Sequence, residues 1–326
     1  MIKDKIKIAN IELNGRIIMP AIATAKSTSD GKVTQDLIDY YESRAKNDNV
    51  AMIITEHAYI SKEGQASPNM MSISDDSDIE GIRKIADIIH KYGKKAIFQI
   101  NHAGSEAFYD IVKDEIVSPS GISVPGCKND KGFIKSKALS EEDIKVLIDK
   151  YAKASLRAKN AGYDGVEIHS THGYLLNEFY SPITNKRKDQ YGGSIEKRIN
   201  IHRQVIRAVR KAVGEDYLIS LRLGANDYVK GGSTIEDAVY ACKVFEKEGV
   251  NLIDISGGLC GIKNPNDSNP GYFKDASKAV KDVVSIPVIL TGGVSTLEQA
   301  EDLLQDEQAD LIGIGRSLWK DPNWEL

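Results

Sequence analysis

Cysteine is scarce. Cys127, Cys242 and Cys260 stand far apart with no Cys-x-x-Cys spacing, so neither a disulfide framework nor a zinc or iron–sulfur site is encoded. A sustained basic block is also missing: 43 Lys and Arg against 47 Asp and Glu leave a net charge of −4, without the electrostatic footprint of a nucleic-acid binder. No apolar run approaches the ~18 residues of a membrane helix. The opening Met1-Ile2-Lys3-Asp4-Lys5-Ile6-Lys7 has no signal-peptide core. Linkers, low-complexity segments and a second domain are absent. What is there is a chain of 326 residues, 41% apolar and 28% charged. These features point to a cytoplasmic enzyme or small-molecule binder, with no role at nucleic acid or membrane. Length alone suggests two domains at ~150 residues each, yet a single (β/α) barrel commonly runs this long.

Short apolar runs alternate with amphipathic stretches. Eight strands are expected, over 16–20, 51–55, 95–100, 165–169, 217–223, 251–256, 286–291 and 310–315. Runs such as Ala51-Met52-Ile53-Ile54 suit strands buried on both faces. Ser77-x-x-Glu80, Ser140-x-x-Asp143, Thr234-x-x-Asp237 and Ser295-x-x-Glu298 read as capping boxes at helix starts. Ile144, Leu147, Ile148 and Tyr151 share one helical face, as do Ile195, Ile199, His202, Ile206, Val209 and Val213. Eight βα units favour a closed parallel barrel, a (β/α)8 TIM barrel over residues 1–326, rather than an open doubly wound sheet. The spacing leaves extra chain after strands three and four (103–139 and 173–194), over the C-terminal mouth where such barrels keep their sites. The alternating stretch 6–13, followed by Asn14-Gly15, predicts a hairpin plugging the other end.

Polar residues gather where strands end. His90 and His202 fall inside helical patterns and read as partly buried helix residues. His57, His102, His169 and His172 follow strands two, three and four, and are expected to converge on one mouth. His169 and His172, three apart on a turn, either ligate a metal or both donate N–H bonds to one oxygen. Gln99 closes strand three. Arg222 lies within strand five, where a cation needs a carboxylate or a ligand anion as partner. Strand seven runs into Thr291-Gly292-Gly293-Val294 and strand eight into Gly315-Arg316-Ser317. Glycines let backbone N–H groups approach an anion and arginine adds a bidentate cation, so these two loops point to a phosphate-bearing cofactor.

At these residues the sequence resembles the old yellow enzyme family, the FMN-dependent NADH:flavin oxidoreductases. The stretch from Glu167 to Phe179, continuing through Ser181-Pro182, Asn185, Arg187, Asp189 and Tyr191 to Ser194, is similar to the family's hallmark segment. Met19-Pro20, Gln99 to Gly104, Arg222 and Gly315-Arg316 follow in the family's order. The resemblance implies a TIM barrel of the single-domain bacterial type with bound FMN. Pro20, Ala21, Ile22, Ala23, His57, Gln99 and Arg222 would line the isoalloxazine. Gly292, Gly293, Gly315 and Arg316 would hold the phosphate. His169 and His172 would bind the carbonyl oxygen of a substrate, and Tyr174 matches the family's proton donor. NADH or NADPH would deliver hydride to flavin N5. An enone or enoate would then take it at the β-carbon, with Tyr174 protonating the α-carbon.

The sequence departs from the family pattern at Ala23, where Thr or Cys is common, at Ala25, where some members have a substrate-binding Tyr, and at Ser105, where Arg is frequent. Larger relatives continue past the equivalent of Leu326 into an iron–sulfur cysteine cluster and dinucleotide-binding domains. The chain therefore reads as a single-domain member or a trimmed part of a longer flavoenzyme. Competing readings are an amine dehydrogenase or demethylase on the same flavin barrel, a metal-dependent barrel hydrolase using the histidines, and a non-catalytic flavin-binding module. Analogy of fold favours a homodimer or homotetramer.

Overall fold

The computed structural model describes residues 1–126 and 136–325; Cys127 lies outside them. Eight parallel strands close on themselves: β1 (Ile17–Met19), β2 (Val50–Ile54), β3 (Lys95–Asn101), β4 (Gly165–Ser170), β5 (Leu218–Gly224), β6 (Leu252–Ser256), β7 (Val288–Thr291) and β8 (Leu311–Gly313). Each pairs with its successor, and β8 returns to β1 through Ile312 opposite Ile17. Helices α1 (Gln35–Ala45), α2 (Ile79–Lys91), α3 (Glu141–Asn160), α4 (Asn200–Val213), α5 (Ile235–Lys247), α6 (Lys274–Lys281), α7 (Leu297–Gln305) and α8 (Arg316–Lys320) follow the strands in turn. The fold is the expected (β/α)8 TIM barrel. Its strands are mostly apolar and almost wholly buried, because one face meets the helices and the other the barrel interior. Among the described residues no helix is long and apolar enough to cross a membrane.

Local signals explain most boundaries. Ser140 and Thr234 cap α3 and α5 through reciprocal bonds with Asp143 and Asp237, each such cap contributing about 1 kcal/mol. The other two expected boxes shift. Before α2 the box is Asp75 with Asp78, because aspartate accepts amide bonds as well as serine does. Thr296, not Ser295, caps α7, while Gln299 reaches back to the Ser295 amide at 2.9 Å. The helix expected from Ile195 breaks at Ile199, leaving a short turn (Ile195–Arg198) ahead of α4.

The hairpin is present but turns elsewhere. Ile6–Ile8 and Ile11–Leu13 pair antiparallel across Ala9 and Asn10, with Ala9 at φ +50°, whereas Asn14-Gly15 leads on into β1. Ile8, Ile11 and Leu13 pack against Leu218, Leu252 and Leu311, each the first residue of its strand. They thus stopper the N-terminal end of the barrel. At the other end Ala58–Tyr59 adds a short unexpected strand beside Ile100–Asn101 of β3. The insertion after β4 carries a six-residue helix, Leu175–Tyr180, with every residue buried.

Candidate active site at the barrel mouth

A cavity of about 370 Å³ opens at the C-terminal ends of the strands. Pro20, Ala21, Ile22 and Ala23 line it after β1, His57 after β2 and Gln99 on β3. His169, His172 and Tyr174 enter at the end of β4 and just beyond, and Arg222 from β5. Gly292 and Gly293 follow β7, and Gly315 and Arg316 follow β8. The cavity therefore brings together every expected cofactor- and substrate-site residue. His102 is the exception among the four mouth histidines. It follows Asn101 on β3, and alternation along the strand sends its ring outward, where a Cβ on Gly64 would touch it. The Gly104 amide donates to its Nδ1 at 3.1 Å, and burial lowers it to about 4.

The remaining three imidazoles and the phenol form one aromatic wall. Ring centroids are 5.4 Å apart for His169 and His172, 5.1 Å for His169 and Tyr174, and 5.3 Å for the stacked His57 and Tyr174. Burial holds His169 and His172 well below the usual histidine range, reinforced by the neighbouring rings and Arg222, so both are neutral at pH 7. Burial also pushes the Tyr174 hydroxyl up to about 12, helped by the Glu106 charge, so it stays protonated. Thr171 Oγ1 lies 3.0 Å from His169 Nδ1, and Ser256 Oγ 2.8 Å from His172 Nε2.

Beneath this wall runs a polar belt across five adjacent strands. Gln99 donates to Glu167 at 2.7 Å and Ser220 to the other carboxylate oxygen at 2.8 Å. Arg222 Nε stands 3.1 Å from Asp254 Oδ2, while Thr291 donates to Asp254 Oδ1 at 2.9 Å. Register explains the gathering: Gln99 and Ser220 each lie opposite Glu167, and Arg222 opposite Asp254. Burial raises both carboxyls, and for Glu167 the Asp254 charge adds to it. A single guanidinium thus faces two buried acids. Two more buried carboxyls anchor the loops. Glu56 ties Thr24 by its amide at 3.0 Å and by its hydroxyl. Glu178 accepts from the Ser105 amide and hydroxyl, which gives the departure at Ser105 a structural role.

At the far end of the cavity Gly293 has φ +77°, and a Cβ there would stand 2.5 Å from the Tyr272 ring. Tyr272 donates to Ile262 O at 2.6 Å and accepts from Arg316 at 3.3 Å. Ser256, Ile262, Tyr272, Thr291, Val294, Gly313 and Trp319 complete the lining; of these the sequence pointed only to Thr291 and Val294, as part of the glycine loop after β7. Among the described residues no three His, Cys, Asp or Glu side chains are grouped to hold a metal ion.

A parallel barrel with glycine loops after β7 and β8 and a cavity at its mouth belongs to the class of (β/α)8 barrels that seat a phosphate-bearing ligand there. The model of the NADH:flavin oxidoreductase / NADH oxidase family matches residues 4–326, and the chain belongs to that family, the old yellow enzymes. It is 36% identical over 326 residues to an NADH oxidase of Thermoanaerobacter brockii, covering 98% of this chain and 49% of that protein. It is 36% identical over 318 residues to an NADPH dehydrogenase of Halalkalibacterium halodurans, covering 97% and 90%. An old yellow enzyme homologue from Zymomonas mobilis superposes with a TM-score of 0.86 at 27% identity, over 99% of this chain and 90% of that one. The chain spans about half the length of the first relative and nine tenths of the second.

The residues present fit FMN, the cofactor of this family. Buried Arg222 Nε, although close to Asp254, makes no hydrogen bond, which leaves a cation on the cavity wall for an electron-rich ring edge. The Tyr272 ring fills the place of a Gly293 side chain and holds that loop to glycine, while Gly292, Gly293, Gly315 and Arg316 border one cavity, where backbone amides and a guanidinium suit a phosphate.

Proposed function

We propose that residues 1–326 act as one FMN-loaded barrel domain that oxidises NADH or NADPH and reduces the activated C=C bond of α,β-unsaturated carbonyl compounds. The convergence of His169, His172 and Tyr174 on the cavity that Arg222 and the glycine loops also line is the observation that carries this reading. Bound FMN supplies the centre that accepts and returns a hydride. Pro20, Ala21, Ile22, Ala23, His57 and Gln99 pack and orient it. Gly292, Gly293, Gly315 and Arg316 hold its phosphate. Arg222 would place a fixed positive charge beside the electron-rich edge of the bound ring.

His169 and His172 direct N–H groups at the carbonyl oxygen of an enone or enoate. Because both rings are neutral, they steady developing negative charge on that oxygen without adding a buried cation. Tyr174, still protonated at neutral pH, gives its proton to the α-carbon. The substrate is a small molecule, and the barrel assembles as a homodimer or homotetramer. Anaerobic titration of FMN-loaded protein tests the reading. NADH or NADPH should bleach the visible absorbance, and cyclohexenone should then restore it. Bleached protein that no member of an enone and enoate panel reoxidises would refute it.

A further inference from the structure

Each of the paired histidines meets a hydroxyl at one ring nitrogen. Thr171 Oγ1 sits 3.0 Å from His169 Nδ1, and Ser256 Oγ 2.8 Å from His172 Nε2. Thr171 is fully buried and Ser256 is 2% exposed. Among the described residues neither hydroxyl has another hydrogen-bond partner. A buried hydroxyl that fails to donate costs about 1–3 kcal/mol, and among the described residues the ring nitrogen is the one acceptor within hydrogen-bond distance. Each hydroxyl therefore donates and each ring accepts. A neutral imidazole accepting at one nitrogen carries its hydrogen on the other.

The two hydroxyls meet chemically different nitrogens, and chain geometry is the reason. Thr171 reaches its own neighbour two residues back, at the nitrogen nearer the backbone. His172 lies in a left-handed turn at φ +60°, with its amide toward Gly257 O at 3.4 Å, so its ring tip meets Ser256 at the end of β6. His169 Nε2 and His172 Nδ1 have no partner among the described residues, and both rings line the cavity.

We propose that Thr171 and Ser256 are positioning residues that set opposite tautomers in the histidine pair, His169 as Nε2–H and His172 as Nδ1–H. Both rings then present a hydrogen, rather than a lone pair, to one ligand oxygen; this last step rests on the function proposed above. With either tautomer reversed, a nitrogen lone pair would face a carbonyl oxygen and repel it.

Long-range proton–nitrogen correlation spectra of ¹⁵N-histidine-labelled, FMN-loaded protein read the tautomers directly, with His169→Asn and His172→Asn assigning the signals. The wild type should show His169 hydrogenated at Nε2 and His172 at Nδ1. Ser256→Ala should move His172 toward Nε2–H and leave His169 unchanged, and Ser256→Thr should restore the wild-type pattern. Thr171→Val is the parallel variant for His169, with Thr171→Ser as its rescue. Cyclohexenone binding to the oxidised protein, read from the flavin absorbance, should weaken about tenfold in Ser256→Ala and recover in Ser256→Thr. The proposal is overturned if wild-type His172 carries its hydrogen on Nε2, or if neither Ser256→Ala nor Thr171→Val moves a tautomer. Tautomers that respond as stated in a protein with no affinity for cyclohexenone would uphold the hydroxyls' role and refute the enone reading instead.

Discussion

Replacing Glu56 by Gln isolates one carboxyl whose ionisation the fold resists. Glu56 is 2% exposed, and its bonds to Thr24 pin the segment that carries Pro20–Ala23 along the cavity wall. Burial lifts the carboxyl from 4.5 to about 7, against the smaller opposing effects of the Thr24 bonds and Lys26. Below pH 4.5 it is protonated in both folded and unfolded chains, and the stability it permits is fully present. Between pH 4.5 and 7 the unfolded chain ionises first, so stability falls as pH rises; above pH 7 the loss is constant. The distance from 4.5 to about 7 corresponds to about 3 kcal/mol, at ~1.4 kcal/mol per pH unit. Glutamine keeps the contacts, its carbonyl oxygen standing in for the one carboxylate oxygen that accepts from both the Thr24 amide and the Thr24 hydroxyl, but carries no charge. The stability advantage of Glu56→Gln over wild type should therefore grow by about 2–3 kcal/mol from pH 5 to pH 8. Urea unfolding of both proteins at the two pH values measures it. A difference that stays flat or shrinks with rising pH refutes the argument.

Two further substitutions probe the proposed roles. Tyr174→Phe should slow reoxidation by cyclohexenone about 100-fold or more, the usual scale for a lost general acid, while reduction by NADH or NADPH changes only a few-fold. Stopped-flow traces of the two half-reactions decide it, and equal losses in both would remove the proton-donor role. Gly293→Ala should weaken FMN at least tenfold, since a left-handed alanine costs about 1–2 kcal/mol and its Cβ would press on Tyr272. Fluorescence titration of the flavin-free protein with FMN measures this, and unchanged affinity would take the phosphate away from that loop.

All eight barrel strands were legible because burial on both faces leaves a largely apolar run, which polar loops then end. Strand ends were less so. Asp310 was expected in strand eight but lies just before β8, bonded to Lys281 and to the Val288 amide, contacts distant in sequence. The glycine loops, paired histidines and Arg222 could be read locally because their chemistry sits in short motifs. His102 was misplaced at the mouth because a residue at a strand end belongs to either face until the strand's phase is known. Glu167 and Asp254 carried a readable signal, an acid inside Gly-Val-Glu-Ile-His and Leu-Ile-Asp-Ile-Ser, the same oddity that marks Arg222. Ser256 and Tyr272 offered none. Only the meeting of β6 with the turn after β4, and of the loop after β6 with Gly293, gives them a role.

The hairpin stopper and the polar belt place most of what braces the barrel below the chemistry. Leu218, Leu252 and Leu311 are sealed by the hairpin, and five strands are laced together one layer higher. Segments above that layer, such as the exposed stretch around Ile262, can change in length and composition while the cylinder holds its shape. New substrates become accessible to such a scaffold by rewriting its upper rim alone.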